Sequence, residues 1–321
     1  MEGLTLTKDV ATGDRWPALP LEEWRDTYAT LHMWTQIVGK TRLALAPPQN
    51  HWWQVTLYVT ARGLATGPMP YGPRTLDAEF DFIEHELVLR TSEGAVEKIA
   101  LRPRSVAKFY RAYLSALGTL GVPVKLWPMP VEVERPIRFT DDEEHAAYDP
   151  EYANRCWRIL VQADDVFKRF RASFLGKCSP VHFFWGSFDL AVTRFSGKRA
   201  PERPGADRMT REAYSHEVIS AGFWPGSADV QEAAFYAYAA PEPAGLRDLV
   251  PQPSSVYYHP PMGIFILPYA AVRTATSPVD AVLAFLQSTY DAAADLARWD
   301  RAALERAAPS AAPPPAIPAR R

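Results

Sequence analysis

Residues 176–197 read GKCSPVHFFWGSFDLAVTRFSG, and residues 39–63 read GKTRLALAPPQNHWWQVTLYVTARG. In each, a Gly-Lys pair precedes a His-aromatic run and an apolar stretch that passes through Val-Thr to a glycine. β-Branched and aromatic residues fill that stretch, so both read as strands. Upstream of each Gly-Lys the apolar period changes to that of a helix. Leu21, Trp24, Tyr28, Leu31, Trp34 and Val38 recur at three- and four-residue steps, with Gly39 placed to cap the end. Asp149-Pro150, a capping residue and a first-turn residue, opens a second helix that carries Tyr152, Cys156, Ile159, Ala163, Phe167, Phe170 and Phe174 to Gly176. The matching order points to a divergent duplication.

The same signals place further strands at 76–90, 96–101, 214–224, 234–239, 254–259 and 263–268. A helix closes each half. Ser105 caps Val106, Phe109, Tyr110, Tyr113 and Leu117, and Ser277-Pro278 starts Val279, Val282, Phe285, Leu286 and Tyr290. The expected fold class is α+β, with two tandem pseudo-repeats of helix, antiparallel strands and helix. Their strands form two sheets or one continuous sheet, with helices covering one side. The first half spans 1–148 and the second 149–306, joined by the Pro-rich and then acidic run at 122–148. Residues 307–321, rich in Pro and Ala, read as a disordered tail.

Of the 321 residues 47% are hydrophobic and 22% charged, the composition of a folded globule, and the formal charge of -2 supplies no broad basic field for nucleic acid. No stretch approaches the length of a membrane span, and the N-terminus has no secretory pattern, so neither a membrane nor export is expected. Two cysteines, Cys156 and Cys178, are too few for a disulfide framework and lack metal-binding spacing. A cytoplasmic location follows.

The strings LHMWTQIVGKTRLALAPPQNHWWQVTLYVTARGL, YDPEYANRCWRILVQ, GKCSPVHFFWGSFDLAVTRFSG and YSHEVISAGFWPG together resemble a bacterial domain-of-unknown-function family. The resemblance runs from about Trp16 to Trp299. It implies a bacterial unit that fills the chain, and it supplies no reaction and no catalytic residues.

Candidate chemistry must come from the side chains. Gly39-Lys40-Thr41 looks like the end of a phosphate-binding loop, but Trp34 stands where the first glycine belongs and the helix is closing rather than opening. Polar lines at four-residue spacing, His32, Gln36 and Lys40 and then Arg169, Ser173 and Lys177, read first as solvated helix faces. Their alternative is a pair of equivalent anion-binding pockets around Lys40 and Lys177. The second half is richer. His182, Trp185, Asp189 and Arg194 crowd strand-like sequence, with His216, Glu217, Tyr258 and His259 on neighbouring strands. Buried polar groups need partners, so convergence of these side chains would give acid–base chemistry or a selective pocket. On that reading His182 or His216 moves a proton, Glu217 or Asp189 orients the imidazole, and Arg194 and Lys177 hold an anion, with Trp185, Tyr258 and His259 lining the site. Period two puts Arg194 on the side of Leu190 and Val192, where it needs a carboxylate or a bound anion. The His and Glu set lacks the short-range spacing of a metal site, so neither metal nor cofactor is expected. Cys178 precedes His182 by four residues without a nucleophile signature. The Gly/Pro-rich segment 63–75 reads as a surface connection, with a lid as its functional alternative. The favoured function is binding of a small polar or anionic molecule in the second half, with its turnover as the catalytic form of that reading. The competing reading is a non-enzymatic interaction protein whose aromatic strands form a homodimer or partner interface.

Overall fold

The computed structural model describes residues 14–226 and 229–306; the expected tail, 307–321, lies outside the described residues. The first half opens with helix α1 (Leu21–Leu45) and a 3₁₀ turn (Asn50–Val55). Strands β1 (Tyr58–Val59), β2 (Gly63–Ala65), β3 (Met69–Tyr71), β4 (Arg74–Asp81), β5 (Glu86–Thr91) and β6 (Val96–Ala100) follow, and helix α2 (Val106–Thr119) ends it. The second half runs α3 (Pro150–Ala172), β7 (His182–Phe184), β8 (Asp189–Arg199), α4 (Arg208–Ala213), β9 (His216–Trp224), β10 (Ala234–Ala240), β11 (Tyr257–His259) and β12 (Ile264–Pro268). It closes with α5 (Tyr269–Arg273), α6 (Pro278–Leu296) and α7 (Arg301–Leu304). This is a mixed α+β protein. Its strands form two antiparallel sheets, ordered β1-β2-β4-β5-β6 with β3 beside β4, and β11-β12-β10-β9-β8-β7.

The caps read from sequence form. Asp149 accepts from the amides of Glu151 and Tyr152, Ser105 from Lys108, and Ser277 from Asp280. Each satisfies a donor that a helix start leaves without an intrahelical partner.

Long-range contacts change several local expectations. Gly39 does not cap α1, which continues to Leu45 and stops before Pro47-Pro48. Glycine stands there because the indole of Trp185 lies on the helix; a Cβ would meet its Cδ1 at 2.2 Å. The single strand expected at 76–90 is a hairpin, because Asp81 Oδ1 accepts from the amides of Ile83 and Glu84 and turns the chain. The segment 63–75 is no lid: it supplies β2, β3 and the start of β4, with Met69 and Thr66 buried. The polar line on α1 is not solvated either, since Gln36 is 0% and Lys40 3% exposed. The connection 122–148 is a strap across α1. Gln36 donates to the carbonyl of Val131 and accepts from its amide, and Phe139 and Tyr148 are buried.

The halves meet at a seam. Leu57 and Phe183 exchange amide–carbonyl hydrogen bonds of 2.9 Å, linking the end of one sheet to β7 of the other. One buried apolar cluster runs through both halves across this joint. Among the described residues no helix is long and apolar enough to cross a membrane.

Candidate functional site

Strand parity sorts the predicted residues. β7 pairs with β8 so that His182 lies opposite Ala191, and β8 pairs with β9. Alternate residues share a face. Leu190, Val192 and Arg194 therefore turn to one side, and His182, Ala191 and Phe195 to the other. On the first side Arg194, 1% exposed, lies against helices α3 and α6. Its Nη2 donates to Phe170 O at 2.5 Å and Ser173 Oγ at 2.9 Å, and its guanidinium sits 3.4 Å from the Phe170 ring centre and 4.2 Å from that of Tyr290. The expected carboxylate or anion is replaced by the carbonyl end of α3 and by aromatic faces, both of which carry negative potential. Burial still lowers its pKa to about 10. Arg194 is thus a structural cation and does not reach the His182 side.

Asp189 is also committed. Ser187 Oγ and Tyr236 Oη donate to its two carboxylate oxygens, and burial pushes its pKa up. Tyr236 reaches it by passing over Gly222, where a Cβ would sit 2.4 Å from the phenol. Trp185 donates from Nε1 to Val55 O at 2.6 Å and serves the seam structurally. Tyr258 donates to Glu242, and with His259 it stands on β11, at the far end of the sheet from β7. His216 and Glu217 are neighbours on β9, so their side chains diverge. Among the described residues no carboxylate orients His182 or His216, and the acid–base pairing expected from sequence does not form.

Besides Trp185, three of the named residues, His182, Lys177 and His216, gather at the seam. His182 is 1% exposed, with the rings of Trp53, Tyr58 and Phe184 about it at 5.5–5.6 Å, and among the described residues neither ring nitrogen has a hydrogen-bond partner. Burial first, then the charges of Arg42 and Arg171, lower its pKa to about 3, so it is a neutral imidazole. Arg42, near the end of α1, donates from Nε to Gln54 O at 2.8 Å; Arg171, in the last turn of α3, has a buried Nε without a partner. Among the described residues neither guanidinium forms an ion pair with a carboxylate. Beside them Lys177 donates to His51 Nε2 at 2.5 Å, while His51 Nδ1–H points at the carbonyls of Glu212 and Ala213. His216 stands 5.9 Å from His51, ring to ring, and burial and the Lys177 charge lower the pKa of both imidazoles. Sequence reasoning missed Arg42, Arg171 and His51, because charged residues at helix ends and in a loop carry no local mark of a shared destination. It also passed over Asp142 and His145, whose i, i+3 spacing in an acidic run was the available signal; Asp142 Oδ2 accepts from His145 Nδ1 at 2.8 Å.

Among the described residues no group of three or more His, Cys, Asp or Glu is arranged to hold a metal ion. A family model described as "Family of unknown function (DUF5996)" matches residues 16–306, nearly the whole chain, and the chain belongs to that family. Neither the comparison with curated proteins nor that with solved structures gives a match.

Proposed function

We propose that this member of the DUF5996 family binds a small anionic molecule at the seam between its halves, with Arg42 and Arg171 facing the negative charge and His182 completing the hydrogen bonds. One observation carries the reading: a fully buried imidazole with two unbonded nitrogens stands near two guanidiniums that no carboxylate neutralises. An unsatisfied buried polar group costs about 1–3 kcal/mol, and a ligand that offers a donor or acceptor recovers it. The rings of Trp53, Tyr58 and Phe184 suit a flat apolar portion of such a ligand. The reading is one of binding, since no carboxylate orients the imidazole for proton transfer. Two unpaired thiols, Cys156 and Cys178, fit a reducing cytoplasm.

The test is calorimetry and thermal shift with inorganic phosphate, succinate and citrate. A true ligand at a hundred times its Kd adds about 2.7 kcal/mol of stability. Arg42→Met and Arg171→Met should each weaken it about tenfold or more. No response from the wild type, or an undiminished response in both variants, sinks the reading.

The interaction alternative has its own support at the far end of the second sheet. β11 is an edge strand, and Tyr257 on it and Met262 after it are 41% and 42% exposed. Light scattering across concentration tests it; a monomer at every concentration counts against a homodimer. We also read the halves as a duplication, supported by the common order of helix, antiparallel strands and helix. A superposition of 21–121 on 150–299 that failed to align strand order and direction would end that reading.

A further inference from the structure

Away from the seam, the first turns of α1 and the strap line a half-open cavity of ≈ 210 Å³, whose walls include Arg25, Tyr28, His32, Met33, Val133 and His145. Arg25 and Arg42 both lie on α1, about 25 Å apart at 1.5 Å per residue, so this is a different place from the seam.

The chemistry of its wall is one-sided. His145 is held on Nδ1 by Asp142, which is 0% exposed and whose other carboxylate oxygen accepts from the amides of Glu144 and His145. The strap is fixed in turn, because the carbonyls of Asp142 and His145 accept from the amides of Ala107 and Val106 in the first turn of α2. Such support fixes the ring with Nδ1–H on Asp142, so that the second proton of the imidazolium sits on Nε2. The hydrogen bond to Asp142 raises the pKa of His145. His32 differs: its Nε2 donates to Gly186 O at 2.8 Å, and burial lowers its pKa to about 4, so it is a neutral wall. Exposed Arg25 adds a second cation at the rim. Among the described residues no carboxylate lines the cavity, and Leu21, Ala29, Met33 and Val133 make the remainder apolar.

We propose that this cavity is a binding site for a small monocarboxylate with an apolar body, its carboxylate bonded to His145 Nε2–H within reach of Arg25 and its body against Met33 and Val133. A charge-assisted hydrogen bond from a positioned imidazolium selects a carboxylate over a neutral isostere, and apolar walls select against dicarboxylates and phosphate.

The experiment uses benzoate and its neutral counterpart benzamide with the full chain, followed by calorimetry and by the imidazole ¹⁵N resonances of His145. Benzoate should shift those resonances saturably and bind at least about tenfold more tightly than benzamide. His145→Gln should cost about tenfold or more. Met33→Trp should fill the cavity and abolish binding, and if it fails to fold, Val133→Phe fills it from the strap side. The His145 resonances report this cavity alone, and benzoate held at the seam is the part of the isotherm that Arg42→Met removes and His145→Gln does not. Equal affinity for benzamide, retained affinity with the cavity filled, or no benzoate binding at millimolar concentration overturns the proposal. Benzoate binding that falls with Arg42→Met but not with His145→Gln also overturns it and assigns the ligand to the seam.

Discussion

Replacing His182 by Phe should stabilise the unliganded protein, and by more as the pH falls. At neutral pH the wild type keeps an imidazole 1% exposed with both nitrogens unbonded, a burden of about 1–3 kcal/mol that a phenyl ring does not carry. The slot is already bounded by aromatic rings at 5.5–5.6 Å. The ring is slightly larger, so some overpacking cost offsets the gain, but that cost does not depend on pH. The pH term is separate. The folded pKa is depressed from 6.5 to about 3 by burial, so on acidification the unfolded chain takes up a proton that the folded chain refuses. Stability contributed by the neutral ring is present above 6.5 and is lost as pH falls from there toward 3. At about 1.4 kcal/mol per unit, the wild type gives up about 3 kcal/mol by pH 4.5 through this residue alone. Urea denaturation of both proteins at pH 7.5, 6.0 and 4.5 measures it, because every other titrating group is common to the pair. A stability difference that stays flat over that range, or a variant less stable by more than about 1 kcal/mol at pH 7.5, would show that His182 has partners and would remove the foundation of the seam reading.

Three other outcomes follow from the packing. Gly222→Ala places a methyl 2.4 Å from the Tyr236 phenol and 2.5 Å from Leu190 O, and the backbone oxygen cannot step aside; a loss of about 1–3 kcal/mol in urea denaturation is expected, and a neutral result contradicts the crossing of Tyr236 to Asp189. Arg194→Ala empties the space between Phe170 and Tyr290 and should cost about 3–5 kcal/mol, whereas Arg194→Met refills it and should recover much of that in calorimetric melting; equal losses would refute the packing account. Leu57→Pro deletes the amide that donates to Phe183 O at the seam and should lower stability by about 3 kcal/mol, while a proline at exposed Arg102 should not.

What local sequence encodes was legible: the caps at Ser105, Asp149 and Ser277, the strand signals, and the placement of Arg194 beside Leu190 and Val192. Each depends on neighbours within a few residues or on a simple period. Gly39 shows where that stops. A glycine followed by lysine has the form of a helix end, yet the reason for glycine is an indole arriving from residue 185, which no local rule sees. The candidate residues come together only in part for the same reason. Parity alone forbids His216 and Glu217 from acting as a pair, and it was available from sequence; the arrival of Arg42 and Arg171 beside His182 was not, because it requires knowing which helix ends abut the seam.

The seam also explains why His182 is left open while His51, its counterpart in the repeated pattern, is not. Each half sends a lysine toward the other half's aromatic run: Lys40 stands 5.6 Å from the Trp185 ring and Lys177 5.5 Å from that of Trp53. In the second half α3 ends at Ala172, so Lys177 lies in extended chain alongside Phe195 and can reach His51 Nε2. In the first half α1 continues to Leu45, so Lys40 is held within the helix among Trp127, Phe139 and Trp185. There it makes no bond to His182, and burial lowers its pKa to about 8. The helix extension brings Arg42 near His182 instead, held by Gln54 at its Nε. His51 thus spends its hydrogen bonds inside the fold, whereas among the described residues neither nitrogen of His182 has a partner. What separates the two imidazoles is where each helix stops: α1 runs past Gly39 to Leu45, whereas α3 stops at Ala172, short of Gly176.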